Sequence, residues 1–355
     1  MTPIRPFVFP GLRSRVIFGA GSIGQAAAEV ERLGRSRALV LSTPNQEADA
    51  GALAARLGPL AAASFCEAAM HTPVEVTERA LAVFDAAKAD CVVALGGGST
   101  IGLGKAIATR TGADQLVIPT TYAGSEMTDI LGETAGGEKI TRRDPSILPE
   151  TVIYDVDLTL TLPVAMTVTS GLNALAHAAE ALYAVDRNPV ISLMSAEAVR
   201  ALAEALPTVL RDPSDVEARG RAQYGAWLCG IALGGSAMAL HHKLCHTLGG
   251  SFGTPHAETH AILLPHTVGF NAAAVPGLLA PIADAFGDTA GRGLFGFAQA
   301  LGAPTRLADL GLSEADLDRA AELATERPYT NPRPFDRQQI RSLLQDAWAG
   351  RSPPH

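Results

Sequence analysis

The chain runs to 355 residues, 47% of them hydrophobic and 18% charged, with 28 basic and 36 acidic side chains and a net charge of −8. That is enough chain and enough apolar side chain for two packed domains, and it excludes wholesale disorder. No basic block stands out on this acidic background, so a nucleic-acid partner is disfavoured, and an anionic substrate has to be held by a local cluster of donors.

The opening MTPIRPFVFPGLRSR has no continuous apolar stretch, so no signal peptide is expected. RVIFG then reads as a strand, followed by the loop FGAGSIG (18–24) and an Ala-rich helix. The loop has the G-x-G-x-x-G spacing of a dinucleotide site. The acidic residue of that fingerprint is not evident downstream, where the next strand ends in Ser42-Thr43-Pro44. A phosphate contact and a plain strand-to-helix turn both stay open. Runs 37–43 (RALVLST), 89–95 (ADCVVAL) and 114–120 (DQLVIPT) read as strands, with helices over 51–63 (GALAARLGPLAAA) and 76–89 (VTERALAVFDAAKA) between them. That alternation predicts a Rossmann-like parallel sheet with helices on both faces.

LGGGSTIGLGKAIA (95–108) follows a fully apolar strand and opens a helix. Gly96, Gly97 and Gly98 let the backbone approach a pyrophosphate, the helix N-terminus offers free N–H groups, and Ser99 adds a hydroxyl. It is not a Walker A loop, because Ser99 stands five residues before Gly104 and Ala106 follows Lys105. The next loop, PTTYAGSEMT (119–128), leaves the same carboxyl edge of the predicted sheet, which makes Thr120, Thr121, Tyr122 and Ser125 candidates for ribose and nicotinamide contacts. A polar loop capping its own backbone is the plain alternative.

Beyond Leu162 the segments are long, rich in Ala and Leu, and helical in period, with DVDLTLTLP (155–163) supplying stop and turn signals. The expected organisation is an α/β domain over residues 1–160 and an all-α domain over 161–355. CGIALGGSAMAL (229–240) is too short and glycine-rich to span a bilayer. Cys66, Cys91, Cys229 and Cys245 form no CxxC pair, which points to free thiols in a reducing cytoplasm.

Five of the nine histidines fall in HHKLCHTLGGSFGTPHAETH (241–260). His242 and His246 are four apart and share a helix face, as do Asn173 and His177 in SGLNALAHAAEAL. His256 follows Pro255, where a new helix is expected to begin. Two helical pairs and a helix-start histidine can converge on one pocket. Four histidines suit Zn²⁺ or Fe²⁺, yet Asn173 is a poor ligand for either and no carboxylate is clear within the cluster, with Glu180 three residues beyond His177 and close to its face. His241, His260 and His266 are expected to lie off this face as ordinary core or surface histidines.

GGGS (96–99), PTTYAGSE (119–126), GLNALAH (171–177), HHKLCHTLGG with PHAETHAILLPH (241–266), and NPRPFDRQQIRSLLQDAWAG (331–350) together resemble the iron-containing alcohol dehydrogenase superfamily, and more narrowly its maleylacetate reductases. The resemblance runs nearly end to end and implies the dehydroquinate synthase-like fold of that superfamily. Its metal-dependent members hold iron or zinc with one Asp and three His. The histidine positions are His177, His242 and His256 here, and the Asp position is Asn173. The dehydrogenases usually show GGGSxxDxxK, with Gly102 standing at the Asp. Both departures are those of maleylacetate reductases, which implies an enzyme that needs no catalytic metal.

What the resemblance implies is NADH- or NADPH-dependent reduction of the C=C bond of maleylacetate, or of a substituted maleylacetate, to 3-oxoadipate in aromatic-compound breakdown. His246 or His242 would be the proton donor, with Asn173, His177, His256 and Lys243 on the substrate. Thr43 stands where NAD-preferring relatives often carry Asp, so either cofactor fits, and Lys139 completes the cofactor candidates. A cytoplasmic homodimer without a membrane partner is expected. Asp129, where maleylacetate reductases often have Pro, either alters substrate choice or caps a turn. Three other readings stay open: a metal-dependent alcohol or polyol dehydrogenase, a lyase or cyclase holding NAD as a prosthetic group, and a nucleotide-binding module without catalysis.

Overall fold

The structure is a computed structural model that describes Phe7, Phe9, Gly11 and residues 13–136 and 138–354, with only the backbone described at Glu138 and Lys139. The Lys139 side chain, expected on the cofactor, lies outside the described residues. The chain divides into two compact units, Gly11–Leu162 and a second made of the residues from Pro163 onward together with those before Gly11, such as Phe7 and Phe9.

The first unit carries a six-stranded sheet, order β1-β8-β5-β4-β2-β3, in which every pairing is parallel. Its strands are β1 (Arg15–Phe18), β2 (Ala38–Leu41), β3 (Ala61–Phe65), β4 (Cys91–Gly96), β5 (Asp114–Pro119) and β8 (Thr151–Tyr154). A separate antiparallel hairpin joins β6 (Ile130–Ala135) to β7 (Glu138–Arg143). Its helices are α1 (Ala26–Arg32), α2 (Glu47–Leu57), α3 (Val74–Ala86) and α4 (Gly98–Thr111).

Alternation along the strands shows why the sheet is covered on both faces. Leu39, Leu41, Val92, Ala94 and Val117 pack with Val76, Ala80 and Phe84 of α3 and Ile101, Leu103 and Ile107 of α4. Val40, Val93, Leu95, Leu116 and Ile118 pack on the other side with Ala26 and Val30 of α1 and Ala50, Leu53 and Leu57 of α2. The chain thus leaves the neighbouring strands β2 and β4 toward opposite faces, and that reversal opens the crevice where α/β sheets bind ligands. Residues 61–63, read from sequence as the end of a helix, begin β3 instead. Gly58 closes α2 at φ 56°, and Pro59 sits in the following 3-10 turn, where it cannot donate to a continuing helix. The strands β3, β6, β7 and β8 have no counterpart in the sequence reading.

The second unit is helical: α5 (Val164–Tyr183), α6 (Pro189–Arg211), α7 (Val216–Gly235), α8 (Leu240–Phe252), α9 (His256–Ala272), α10 (Ala280–Phe286), α11 (Ala290–Ala300), α12 (Asp316–Thr325) and α13 (Arg337–Ala349). Beyond Ala165 and Met166, α5 is buried at nearly every position and packs against α6, α7 and α9, so its polar residues Asn173, His177 and Glu180 are interior. Among the described residues, no helix is long and apolar enough to cross a membrane, and all four cysteines are free.

Candidate active site

The first glycine loop is already liganded from within. The Gly21 amide donates to Asp155 Oδ1 at 3.0 Å and the Ile23 amide to Asp155 Oδ2 at 2.8 Å. Asp155 is 1% exposed, so a buried carboxylate sits where a phosphate would have to go. The Gly21 and Ile23 amides of FGAGSIG are thus taken up within the fold, as a strand-to-helix turn would have them.

The second loop has no such internal ligand at its helix start. No side chain caps α4 at Gly97 and no acidic residue lies in its first turn, so the helix presents amides and its positive dipole end at the carboxyl edge of β4. A Cβ at Gly97 would come within 2.9 Å of the Thr121 side chain. Gly96, Gly97, Gly98 and Ser99 thus line one side and Thr121 the other. Gln46, which the sequence reading passed over, bridges the crevice: its Nε2 donates to Thr120 Oγ1 at 3.1 Å, and Thr43 Oγ1 donates to its Oε1 at 3.5 Å. Thr43 and Thr120 therefore meet above β2 and β5. Tyr122 is fully buried, while Ser125 turns its carbonyl onto Lys105 Nζ at 2.6 Å. Tyr122 thus lies inside the loop, whereas Ser125 is half-buried.

Two sequence departures acquire a structural meaning. A Cβ at Gly102 would collide with Thr72 Oγ1, so the turn at residues 71–73 fills the space an Asp side chain would need. Asp129 pairs with Arg143 Nε at 3.1 Å and its carbonyl accepts from the Asp144 amide at 3.0 Å. It closes the β6–β7 hairpin.

In the helical unit, α5, α8 and α9 bring the histidines together. Ring centroids are 5.2 Å apart for His177 and His242, 6.0 Å for His242 and His246, 5.1 Å for His242 and His260, and 4.4 Å for His256 and His260. His246 and His256 are exposed, and His177 and His242 are buried. Asn173 lies one turn before His177 and is 4% exposed. Lys243, one residue after His242, is half-buried and about 100° round α8 from it, off the face that carries His242 and His246.

His260 and His241 belong to the cluster and do not lie off its face. His260 sits one turn beyond His256, and its Nδ1 is 2.9 Å from His241 Nε2. His241 Nδ1 is 2.9 Å from Thr267 Oγ1. His266 is also buried, against Phe295 and apart from these rings.

Glu180 is a further residue that sequence reasoning undervalued. Its carboxylate accepts from the amides of Ala239 (2.9 Å) and His241 (2.8 Å), from His242 Nδ1 (2.7 Å) and from the Tyr183 hydroxyl (3.2 Å). Burial pushes its carboxyl up, but the His242 hydrogen bond and the charges of His242 and His241 outweigh it and hold the group at about 2. Burial, reinforced by the neighbouring rings, drives His177 and His260 well below the ordinary imidazole range and His241 to about 3.

Asn173 Oδ1, His177 Nδ1, His242 Nε2 and His260 Nε2 are buried polar atoms without a hydrogen-bond partner in the protein. Buried polar groups ordinarily find partners, so these four atoms keep hydrogen-bonding capacity that the protein itself does not use. As a metal site it is poorly furnished. Among the described residues, the metal-capable trio with donor atoms within 4.8 Å of one another is His241, Cys245 and His260, and not His177, His242 and His256. Asn173 brings a neutral amide, and the Glu180 carboxylate is already committed to five N–H and O–H donors.

A doubly covered parallel sheet with an uncapped glycine loop, joined to a helical unit with a buried histidine cluster, defines a dehydrogenase-type architecture. The family model described as Iron-containing alcohol dehydrogenase matches residues 13–156, and that described as Fe-containing alcohol dehydrogenase family, C-terminal, matches residues 167–348. The chain belongs to the iron-containing alcohol dehydrogenase family, and within it to the maleylacetate reductases. It is 62% identical to maleylacetate reductase of Rhizobium sp. strain MTP-10005 over 99% of this chain and 100% of that one. It is 53% identical to maleylacetate reductase 1 of Rhodococcus opacus over 98% of each. The crystal structure of maleylacetate reductase from Agrobacterium tumefaciens superposes with a TM-score of 0.97 at 62% identity, covering 99% of this chain and 100% of that one.

Proposed function

We propose that this chain reduces the C=C bond of maleylacetate, giving 3-oxoadipate, with NADH or NADPH as hydride source and without a catalytic metal. The observation that carries the reading is the buried pocket of Asn173, His177, His242 and His260, whose polar atoms lack protein partners and whose amide replaces the carboxylate of a metal site. The full-length maleylacetate reductases among its relatives support the substrate.

Maleylacetate is a dicarboxylate whose C=C bond is conjugated to a ketone. A bound nicotinamide supplies a hydride to the alkene carbon β to that ketone. Charge then builds on the ketone oxygen, and hydrogen-bond donors in a dry pocket stabilise it without a Lewis acid. Asn173, His177 and His256 bind the carboxylate or ketone oxygens. A histidine of the α8 pair, His242 or His246, protonates the carbon next to the ketone, a task suited to imidazole near neutral pH. The amides of Gly96–Ser99 would hold the pyrophosphate, and Thr43 and Gln46 would hold the ribose. Thr43 carries no charge to repel a 2′-phosphate, so both nicotinamides are accepted. The reading also takes the enzyme as a cytoplasmic homodimer.

The test follows nicotinamide absorbance after maleylacetate is added to chelator-stripped enzyme, with NADH and NADPH in parallel. Oxidation of the cofactor without metal is the expected result. Oxidation only after Fe²⁺ or Zn²⁺ is restored would make the histidines ligands and give the site to a metal-dependent dehydrogenase.

A further inference from the structure

We propose that Glu180 is a positioning residue for the reaction, holding His242 with Nδ1–H turned to its carboxylate and Nε2 turned to the substrate, so that His242 rather than His246 delivers the proton. This rests on the reduction proposed above and deepens it.

The argument is one of donors and acceptors. An ionised carboxylate only accepts, so the 2.7 Å contact requires the proton on His242 Nδ1. The other ring nitrogen, Nε2, is buried and without a protein partner, beside His177 and His260. The carboxylate that holds the ring is itself fixed, because it also accepts from the amides of Ala239 and His241 at the start of α8. A carboxylate there also complements the positive end of that helix. The ring, the turn that carries it and the counter-charge are thus fixed by one side chain of α5. Such a carboxylate–imidazole pair selects the tautomer and supports the ring when it carries a second proton.

The step balances as follows. The hydride brings two electrons to the carbon β to the ketone, and the nicotinamide is oxidised. The C=C pair shifts to form the enolate. The carbon next to the ketone then takes the proton from His242 Nε2, leaving a neutral ring that Glu180 still holds by Nδ1–H, and solvent returns the proton. No group beyond substrate, cofactor and water is required.

Two measurements test this. In uniformly ¹⁵N-histidine-labelled wild-type enzyme, with His242 signals identified by their loss in His242→Phe, the neutral ring is expected to show a protonated Nδ1 and a bare Nε2. The opposite tautomer would overturn the assignment. The second is a double-mutant cycle on kcat. Glu180→Gln alone is expected to lower kcat on the order of 100-fold with a much smaller change in KM. In a His242→Phe background the same change is expected to cost about twofold at most. Losses that simply multiply, or an undiminished kcat in Glu180→Gln, would reduce Glu180 to a helix anchor and refute the proposal. A wild-type enzyme inert toward maleylacetate would sink the substrate reading and the catalytic half with it, while the tautomer result stands or falls by itself.

Discussion

Lys105 Nζ lies 2.7 Å from the carbonyl oxygen of Thr128 and 2.9 Å from its hydroxyl. The same ammonium reaches the carbonyls of Ser125 at 2.6 Å and Ile130 at 3.0 Å, and it is fully buried. One lysine of α4 therefore ties down the loop that follows β5. Lys105→Met would strip the buried Thr128 carbonyl and hydroxyl of their lysine donor and take one contact each from the Ser125 and Ile130 carbonyls. The expected result is a loss of about 2–4 kcal/mol in urea unfolding, together with weaker NADH binding in a fluorescence titration.

The two glycine loops separate by substitution. Gly97→Ala pushes a methyl into the Thr121 side chain at the mouth of α4, whereas a Cβ at Gly24 meets nothing within 4 Å. Gly97→Ala is expected to weaken NADH binding on the order of tenfold, about what one poorly placed phosphate contact costs. Gly24→Ala should bind NADH as the wild type does. Equal effects would return FGAGSIG to the cofactor.

Asn173→Asp would add a charge to the pocket proposed to receive the dianionic substrate. Catalytic efficiency toward maleylacetate is expected to fall on the order of 10- to 100-fold through like-charge repulsion. Isothermal titration with Zn²⁺ should detect tighter binding than in the wild type. Unchanged efficiency would remove Asn173 from the substrate's surroundings.

Burial of histidines also sets an acid limit. Their free value is near 6.5, whereas burial lowers His241 to about 3 and His266 to about 4. Between those pH values and 6.5 the unfolded chain binds protons that the folded protein refuses, so stability falls as pH falls. Each such histidine contributes up to about 1.4 kcal/mol per pH unit. His266→Gln, away from the cluster, should remove one such contribution between pH 6.5 and 4. Urea midpoints at pH 7, 6 and 5 read this directly, and an unaltered slope would count against it.

Much of this was legible in the sequence, and the exceptions have physical reasons. β4 and its glycines stood out because a continuous apolar run ending at a helix start is a local pattern. His177, His242, His246 and His256 were found by a spacing of four and a helix-start proline. The same spacing joins His256 to His260, and applying it there would have found the ring that closes the cluster. His241 obeys no such rule, since it enters the pocket only because α8 and α9 pack side by side. Glu180 was visible at three residues from His177, but its role depends on the first turn of α8 meeting α5, which no local period encodes. FGAGSIG looked equivocal because the carboxylate that fills it arrives from Asp155, more than a hundred positions along the chain.

Thr267 sets a direction for the protons behind the pocket. Its hydroxyl donates to the Leu263 carbonyl at 3.0 Å, so toward His241 Nδ1 it can only accept. His241 is then an acceptor at Nε2, and His260 must donate from Nδ1. That leaves His260 Nε2 as a bare lone pair, buried and without a protein partner. A single carbonyl within α9 thereby dictates, through a threonine and two imidazoles, which way the innermost wall of the cavity is polarised, much as one fixed magnet orders a row of compass needles.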